Sequence, residues 1–429
     1  MRSSLVLAAV LLLTGVTAHC IAGGRGNRLT YLDQTADPYY VGTEFPRLIT
    51  PQWIGEEGVD AVVVLAIDDL RDTAKYEAFL RPILDRLKQA DVPTGMSIMT
   101  VAVDPHDAQL QTWLAEGVTL EVHTLDHPCP LLAKGRLDAA RSTYEGCLEQ
   151  LTQIPGNHPV AVRLPCCDSQ NTPSPRFWSE IFSRVSPHGK FLSVDSSVFN
   201  VTTAADRSLP SELTTDSDGR PRFEKYLPFP SFVNRIDNYP FPYVIDRVCW
   251  EIPCMVPSDW EAQHLQQPFN PQTVGDFKAA VDVAVRKQGT FSLVFHPHGW
   301  IRNDQIIEVI EYAVQRYGNR VRFLNFHQVL QRLNRHLLAN RSLRNDDGSA
   351  SGVRLLDIND DGFMDVVIPH DDGRLTTRLW LPDQEIWHEF TQSLPATSHQ
   401  FGVLNETGTA SLIAVRRDGL GFYEFTKAS

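Results

Sequence analysis

Between about residues 58 and 338, short apolar runs alternate with amphipathic stretches, a rhythm that few folds accommodate. The apolar runs are 61–67, 95–101, 119–125, 160–165, 191–197, 246–253, 290–296 and 321–326. Most are rich in Val, Ile, Leu and Phe, as strands buried on both faces must be. Helical stretches fall between them. From Tyr76 to Gln89, the residues Phe79, Leu80, Ile83, Leu84 and Leu87 form one stripe. Stretches 137–152, 175–185, 273–287 and 303–317 behave similarly, and Ser174 before Pro175 reads as an N-cap followed by a proline at the first helical position. Seven or eight such units predict an α/β fold, a distorted (β/α)7-8 barrel over residues 58–340.

In such a barrel the C-terminal strand ends carry the chemistry. Asp68 and Asp69 follow run 61–67, and His123 lies near the end of 119–125. Arg163 closes 160–165, Asp195 lies late in 191–197, and His296 ends 290–296. The strand reading predicts that they converge on one mouth. His127 follows His123 by four residues, so a helical turn would bring both rings to one face. Two histidines and two aspartates are enough for metal-assisted hydrolysis: three ligands to hold a cation, and a spare carboxylate to take a proton from water. His298 follows in His296-Pro-His-Gly-Trp300, and a strand continuing through Pro297 would face both histidines the same way.

The flanks read differently. Arg2, the apolar run 3–13 and Val16-Thr17-Ala18 form a secretory signal over 1–22, followed by an extension over 23–57. The chain is therefore expected to be secreted, periplasmic or on the cell surface, with no membrane span. Six cysteines would remain after cleavage, which suits an exported protein. Adjacent Cys166 and Cys167 are expected to take different partners. A net charge of −13 argues against nucleic acid or an anionic membrane as the partner. The long connection 200–245, rich in proline and aromatics, reads either as a substrate wall or lid or as a loop packed on the barrel. Residues 341–352 read as a linker, and 353–429 as a β-rich appendage. Within it, Asp357, Asn359, Asp361 and Asp365 surround Gly362 with the alternating oxygens that suit Ca2+; an acidic turn without metal is the other reading.

Five of these stretches, taken in order, resemble the motifs of the polysaccharide deacetylases, the NodB-like carbohydrate esterases. They are Ile67-Asp68-Asp69, His123-Thr-Leu-Asp-His127-Pro128, Arg163-Leu-Pro165, Asp195-Ser-Ser-Val-Phe199 and Val294-Phe-His296. The resemblance covers roughly residues 58–330 and implies a NodB-like barrel. It implies that Asp69, His123 and His127 bind a divalent metal, usually zinc. Asp68 would be the general base on the metal's water, oriented by Arg163. His296 would be the general acid, oriented by Asp195. Phe199 would form an apolar wall for the acetyl group or sugar, and Trp300 would stack on a sugar face or pack. The implied activity is removal of N-acetyl groups from an amino-sugar polysaccharide or oligosaccharide. A small-amide hydrolase on the same barrel and a non-catalytic carbohydrate-binding protein are the alternatives. The chain departs from the family at Leu70, where glycine is usual, at Val198, where a second aspartate is common, and at Cys166-Cys167. The C-terminal segment resembles the calcium-binding repeats of β-propeller-like proteins (FG-GAP or VCBS type).

Overall fold

The computed structural model of the chain describes residues 56–90, 95–168, 177–227, 235–356, 358–359, 361–393, 398–402, 411–416 and 419–424. The signal and most of the extension lie outside these residues, as do the Ser174–Pro175 helix start and Asp357.

The predicted runs form one sheet of 12 strands. They are β1 (Ala61–Leu70), β2 (Met96–Thr100), β3 (Val118–Val122), β4 (Ala161–Val162), β5 (Val194–Asp195) and β6 (Phe199–Val201). Then come β7 (Arg235–Asp237), β8 (Tyr243–Ile245), β9 (Cys249–Glu251), β10 (Cys254–Met255), β11 (Thr290–Phe295) and β12 (Val321–Phe323). The spatial order is β7-β6-β10-β11-β1-β2-β3-β4-β5-β9-β8, with β12 also on β1. All pairs are parallel except β8 with β9. Among the described residues, seven α-helices of seven or more residues connect or flank the strands: α1 (Thr73–Gln89), α2 (Ala108–Ala115), α3 (Leu137–Thr152), α4 (Asp259–Gln266), α5 (Pro271–Lys287), α6 (Asn303–Tyr317) and α7 (Phe326–Arg332).

The distortion of the barrel has a local cause. Runs 191–197 and 246–253 do not end as single strands. Each segment serves both flanks of the sheet, β5 then β6 and β9 then β10. The links stay side by side, with Ile252 N donating to Asp195 O at 2.9 Å and Cys254 N to Val198 O at 2.8 Å. Pro253 has no N–H for a regular ladder, so the break falls beside it. These two bent segments join the halves of the curled sheet.

Burial follows the sequence pattern. Every residue of β1 except Asp69 is buried, as a strand covered on both faces requires. Helix α1 starts where Asp72 accepts from Lys75 N, and it buries Tyr76, Leu80, Ile83, Leu84 and Leu87. In the long connection, Tyr226, Tyr239, Phe241 and Tyr243 are all buried, so these aromatics pack the barrel instead of lining a substrate wall. Asn200, one of the sequence's glycosylation sequons, is also buried, and its Oδ1 accepts from Tyr239 N at 2.7 Å.

The C-terminal part is all-β, as predicted. One antiparallel sheet holds β13 (Arg354–Leu356), β14 (Asp365–Pro369), β15 (Arg374–Leu381) and β16 (Ile386–Ser393); a second holds β17 (Ser398–Gly402), β18 (Ser411–Arg416) and β19 (Gly419–Glu424). The segment leading to it is pinned to the barrel: buried Arg344 donates to Phe182 O at 2.6 Å and Ser183 O at 3.2 Å. Asp365, read from the sequence as a calcium ligand, also has a structural role. Its buried oxygens accept from Ile358 N at 2.8 Å and Trp380 N at 2.9 Å, fastening the strands. Asp361 likewise accepts from Phe363 N and from Asn359 Nδ2. Among the described residues, no helix is long and apolar enough to cross a membrane.

Candidate metal centre and active site

The two aspartates sit on a β-bulge. Ile67 faces Ile98 and Leu70 faces Thr100, so β1 uses one residue more than β2. Asp69 absorbs the extra residue at φ +73°, a region L-residues rarely occupy. Glycine is therefore not needed at position 70: Leu70 continues the strand and is buried. The Tyr76 hydroxyl, on α1, donates to the Asp68 carbonyl oxygen and braces the bulge.

Asp68 is only 3% exposed and is held by a buried cation. Arg163 Nη1 lies 2.7 Å from Asp68 Oδ1. Three more of its five N–H donors are used as well, Nε to Ser196 O at 2.8 Å and Nη2 to the hydroxyls of Ser196 and Ser292 at 3.1 and 3.0 Å. A buried charge pair is tolerated only when its other valences are satisfied in this way.

The histidines meet Asp69, though not through a helix. Thr124 and His127 have φ of +63° and +53°, and the loop is pinned to α3 by Leu125 N and Asp126 N bonding to Thr143. The Cys129–Cys166 disulfide ties this loop to the one following Arg163, so Cys166 does have a partner other than Cys167. Cys147, Cys167, Cys249 and Cys254 are buried thiols. Positive φ at Asp69, Thr124 and His127 concentrates backbone strain around one point.

That point fits a cation. His123 Nε2 and His127 Nε2 lie 3.2 and 2.8 Å from Asp69 Oδ1, and the ligand atoms of the three residues all fall within 4.8 Å of one another. His123 Nδ1 is 2.7 Å from the Arg163 carbonyl oxygen, which can only accept, so this nitrogen carries the hydrogen. In the neutral ring Nε2 then presents a lone pair to a carboxylate oxygen that is itself buried and without a hydrogen-bond donor. Two facing lone pairs repel; a divalent cation between them resolves the conflict.

His296, 9% exposed, closes the opposite side. Its Nε2 lies 3.8 Å from Asp69 Oδ2. Its orienting partner is Asp259, not Asp195. Asp259 Oδ1 lies 2.7 Å from His296 Nδ1, and Oδ2 accepts from the His296 backbone N at 2.8 Å. Burial, the largest single influence, would drive the His296 pKa down; the Asp259 carboxylate, with help from Asp69 and Asp68, pushes it up to about 9. Burial raises the Asp259 carboxyl, with His296 pulling against that shift. Asp195 cannot reach His296 because β5 lies on the far flank of the sheet, where it accepts from Ser197 Oγ and faces Glu251. Burial pushes the Glu251 carboxyl well up. Sequence reasoning missed Asp259. Its only local signal was Ser258-Asp-Trp-Glu261, a capping box that marks a helix start but not what the first-turn carboxylate faces.

Phe199 is 2% exposed and belongs to the apolar core, so it supplies no wall at the mouth. Trp300 is partly exposed, its ring 4.9 Å from that of His296 and 5.1 Å from that of His298. His298 also reaches the centre, with Nε2 3.1 Å from Asp69 Oδ2.

Residues 55–173 match the family model described as polysaccharide deacetylase. No curated protein matches the chain. Among solved structures, Puue allantoinase is 15% identical over 71% of this chain and 98% of its own, with a TM-score of 0.43. The catalytic domain of peptidoglycan N-acetylglucosamine deacetylase from Eubacterium rectale is 14% identical over 62% and 89%, with a TM-score of 0.35. Peptidoglycan deacetylase PdaC from Bacillus subtilis is 15% identical over 66% and 97%, with a TM-score of 0.31.

Proposed function

We propose a specific reaction for this protein, starting from the match of residues 55–173 to the polysaccharide deacetylase model, which points to a hydrolase of non-peptide carbon–nitrogen bonds. It removes N-acetyl groups from an amino-sugar polysaccharide, with a divalent metal and outside the cytosol. The observation that carries this reading is the convergence of three groups of different function. Asp69, His123 and His127 form a ligand set, Asp68 is a carboxylate held by Arg163, and His296 is a histidine held by a buried aspartate.

A cation held by Asp69, His123 and His127, of which zinc suits the donor set best, would supply Lewis acidity, lowering the pKa of water towards about 7 and stabilising the oxyanion. The rest falls to the chain. Arg163 occupies Asp68 Oδ1, which leaves Oδ2 to take a proton from water as its oxygen adds to the acetyl carbon. The fixed guanidinium keeps that carboxylate from turning away. His296 donates Nδ1–H to Asp259 and carries a second proton on Nε2. It gives that proton to the amide nitrogen as the C–N bond breaks, so that acetate and a free amino sugar leave. Without this proton the departing amine would be a poor leaving group. Trp300, beside both histidines at the mouth, offers an aromatic face to a sugar ring. The calcium reading of residues 357–365 is no part of this proposal, since Asp365 is used by backbone donors.

The test is metal content and acetate release from N-acetylglucosamine oligomers, with and without chelator. One metal per chain and chelator-sensitive acetate release is the expected result. Bound metal without acetate release would favour a small-amide substrate. Sugar binding without metal or turnover would overturn both enzyme readings. N-terminal sequencing of the exported chain tests the signal over 1–22.

A further inference from the structure

We propose that His298 is a positioning residue that holds Asp69 in its metal-binding pose, and that Lys75 fixes the tautomer it needs to do so. This rests on the reading of Asp69, His123 and His127 as a metal site. The argument starts from Lys75, in the first turn of α1. Its Nζ lies 2.9 Å from His298 Nδ1. An ammonium has donors only, so Nδ1 accepts. A ring accepting at Nδ1 carries its hydrogen on Nε2, and that nitrogen lies 3.1 Å from Asp69 Oδ2. His298 therefore donates to Oδ2, which leaves Oδ1 turned to His123 Nε2 and His127 Nε2.

Asp69 has particular need of such a tie. It stands on a bulge at φ +73°, and its side chain is 21% exposed, so neither the backbone nor packing alone selects its rotamer. His298 is itself steadied by the Trp300 ring, 5.1 Å away at an interplanar angle of 87°. It stands outside the group whose ligand atoms converge, which comprises Asp69, His123 and His127. The loop after β11 thus grips the ligand carboxylate from its outer side, and α1 grips the loop. Hydrogen bonds of this kind to a ligand carboxylate fix its orientation and raise metal affinity.

The experiment is titration of Zn2+ into the metal-stripped full chain by calorimetry. His298→Phe should weaken zinc binding about 10–100-fold, the usual cost of losing an outer hydrogen bond to a ligand. His298→Gln keeps a donor and should bind close to wild type. Lys75→Met releases the tautomer lock and should fall between the two. Zinc binding by His298→Phe as tight as wild type overturns the proposal. His298→Gln as weak as His298→Phe also overturns it, because His298 would then be a ligand in its own right. Should His298→Phe fail to fold, Lys75→Met decides: affinity equal to wild type counts against the relay. A wild-type chain that binds zinc but releases no acetate overturns the proposed function and leaves this inference standing.

Discussion

Asp259→Asn should lower the proton affinity of His296 by far more than a lost hydrogen bond implies. His296 is nearly buried, and burial pulls its pKa below the ordinary 6.5. The carboxylate at 2.7 Å, together with the smaller pull of Asp69 and Asp68, more than offsets this and takes it to about 9. Asparagine has nearly the same shape but carries no charge and has one acceptor oxygen, which can keep the bond from Nδ1–H while the bond from the backbone N is lost. Burial is then opposed only by the weaker influence of Asp69 and Asp68, so His296 should titrate at 6.5 or below. The change from about 9 to about 6.5 is worth about 3 kcal/mol. At pH 8 the protonated fraction drops from about nine in ten to about one in thirty. NMR titration of the imidazole in the metal-free protein reads this directly. In the acetate-release assay the alkaline limb should move to lower pH. An His296 that still titrates near 9 in Asp259→Asn would refute the electrostatic reasoning, and with it the role given to Asp259.

Arg163→Met strands the Asp68 carboxylate in the interior, so it should cost about 3–5 kcal/mol of stability, seen as a lower urea midpoint at unchanged slope. A loss below about 1 kcal/mol would mean that solvent reaches Asp68 freely. Glu121 tests the buried carboxyls. Burial pushes it up to about 7 from an ordinary 4.5, and Oε2 accepts from Val160 N and Ala161 N while Oε1 has no partner. A raised carboxyl favours the folded state fully below pH 4.5, and that contribution is lost as pH rises through about 7. Glu121→Gln should flatten the decline in stability between those values, roughly 3 kcal/mol in all; an unchanged decline would assign it to other groups.

Much of the site was legible because barrel geometry converts strand ends into neighbours. Asp68 with Asp69, His123, Arg163 and His296 end four different predicted strands, and the structure brings all five residues together. What escaped the sequence was long-range or conformational. Asp259 reaches His296 across 37 residues, from a helix start that looks like any other. Asp195 carried the right chemistry on the wrong flank, because the bend after it, which takes the chain from β5 to β6 on the other flank, is a tertiary event. The turn joining His123 to His127 is made by positive φ values, not by a helix, and no spacing rule reveals that. The departure at Leu70, where the family usually has glycine, is accommodated because the positive φ falls one residue earlier, at Asp69. Phe199 and the loop aromatics were apolar for the core, and apolarity alone does not distinguish a core from a substrate wall.

The most direct test of the whole account is Asp68→Asn, assayed for metal and turnover on the same sample. Asp68 does not belong to the converging ligand set, while its carboxylate is the proposed proton acceptor. The variant should keep one metal per chain and lose at least about 100-fold in acetate release. Acetate release near the wild-type rate would contradict the account, as would loss of the metal together with the activity.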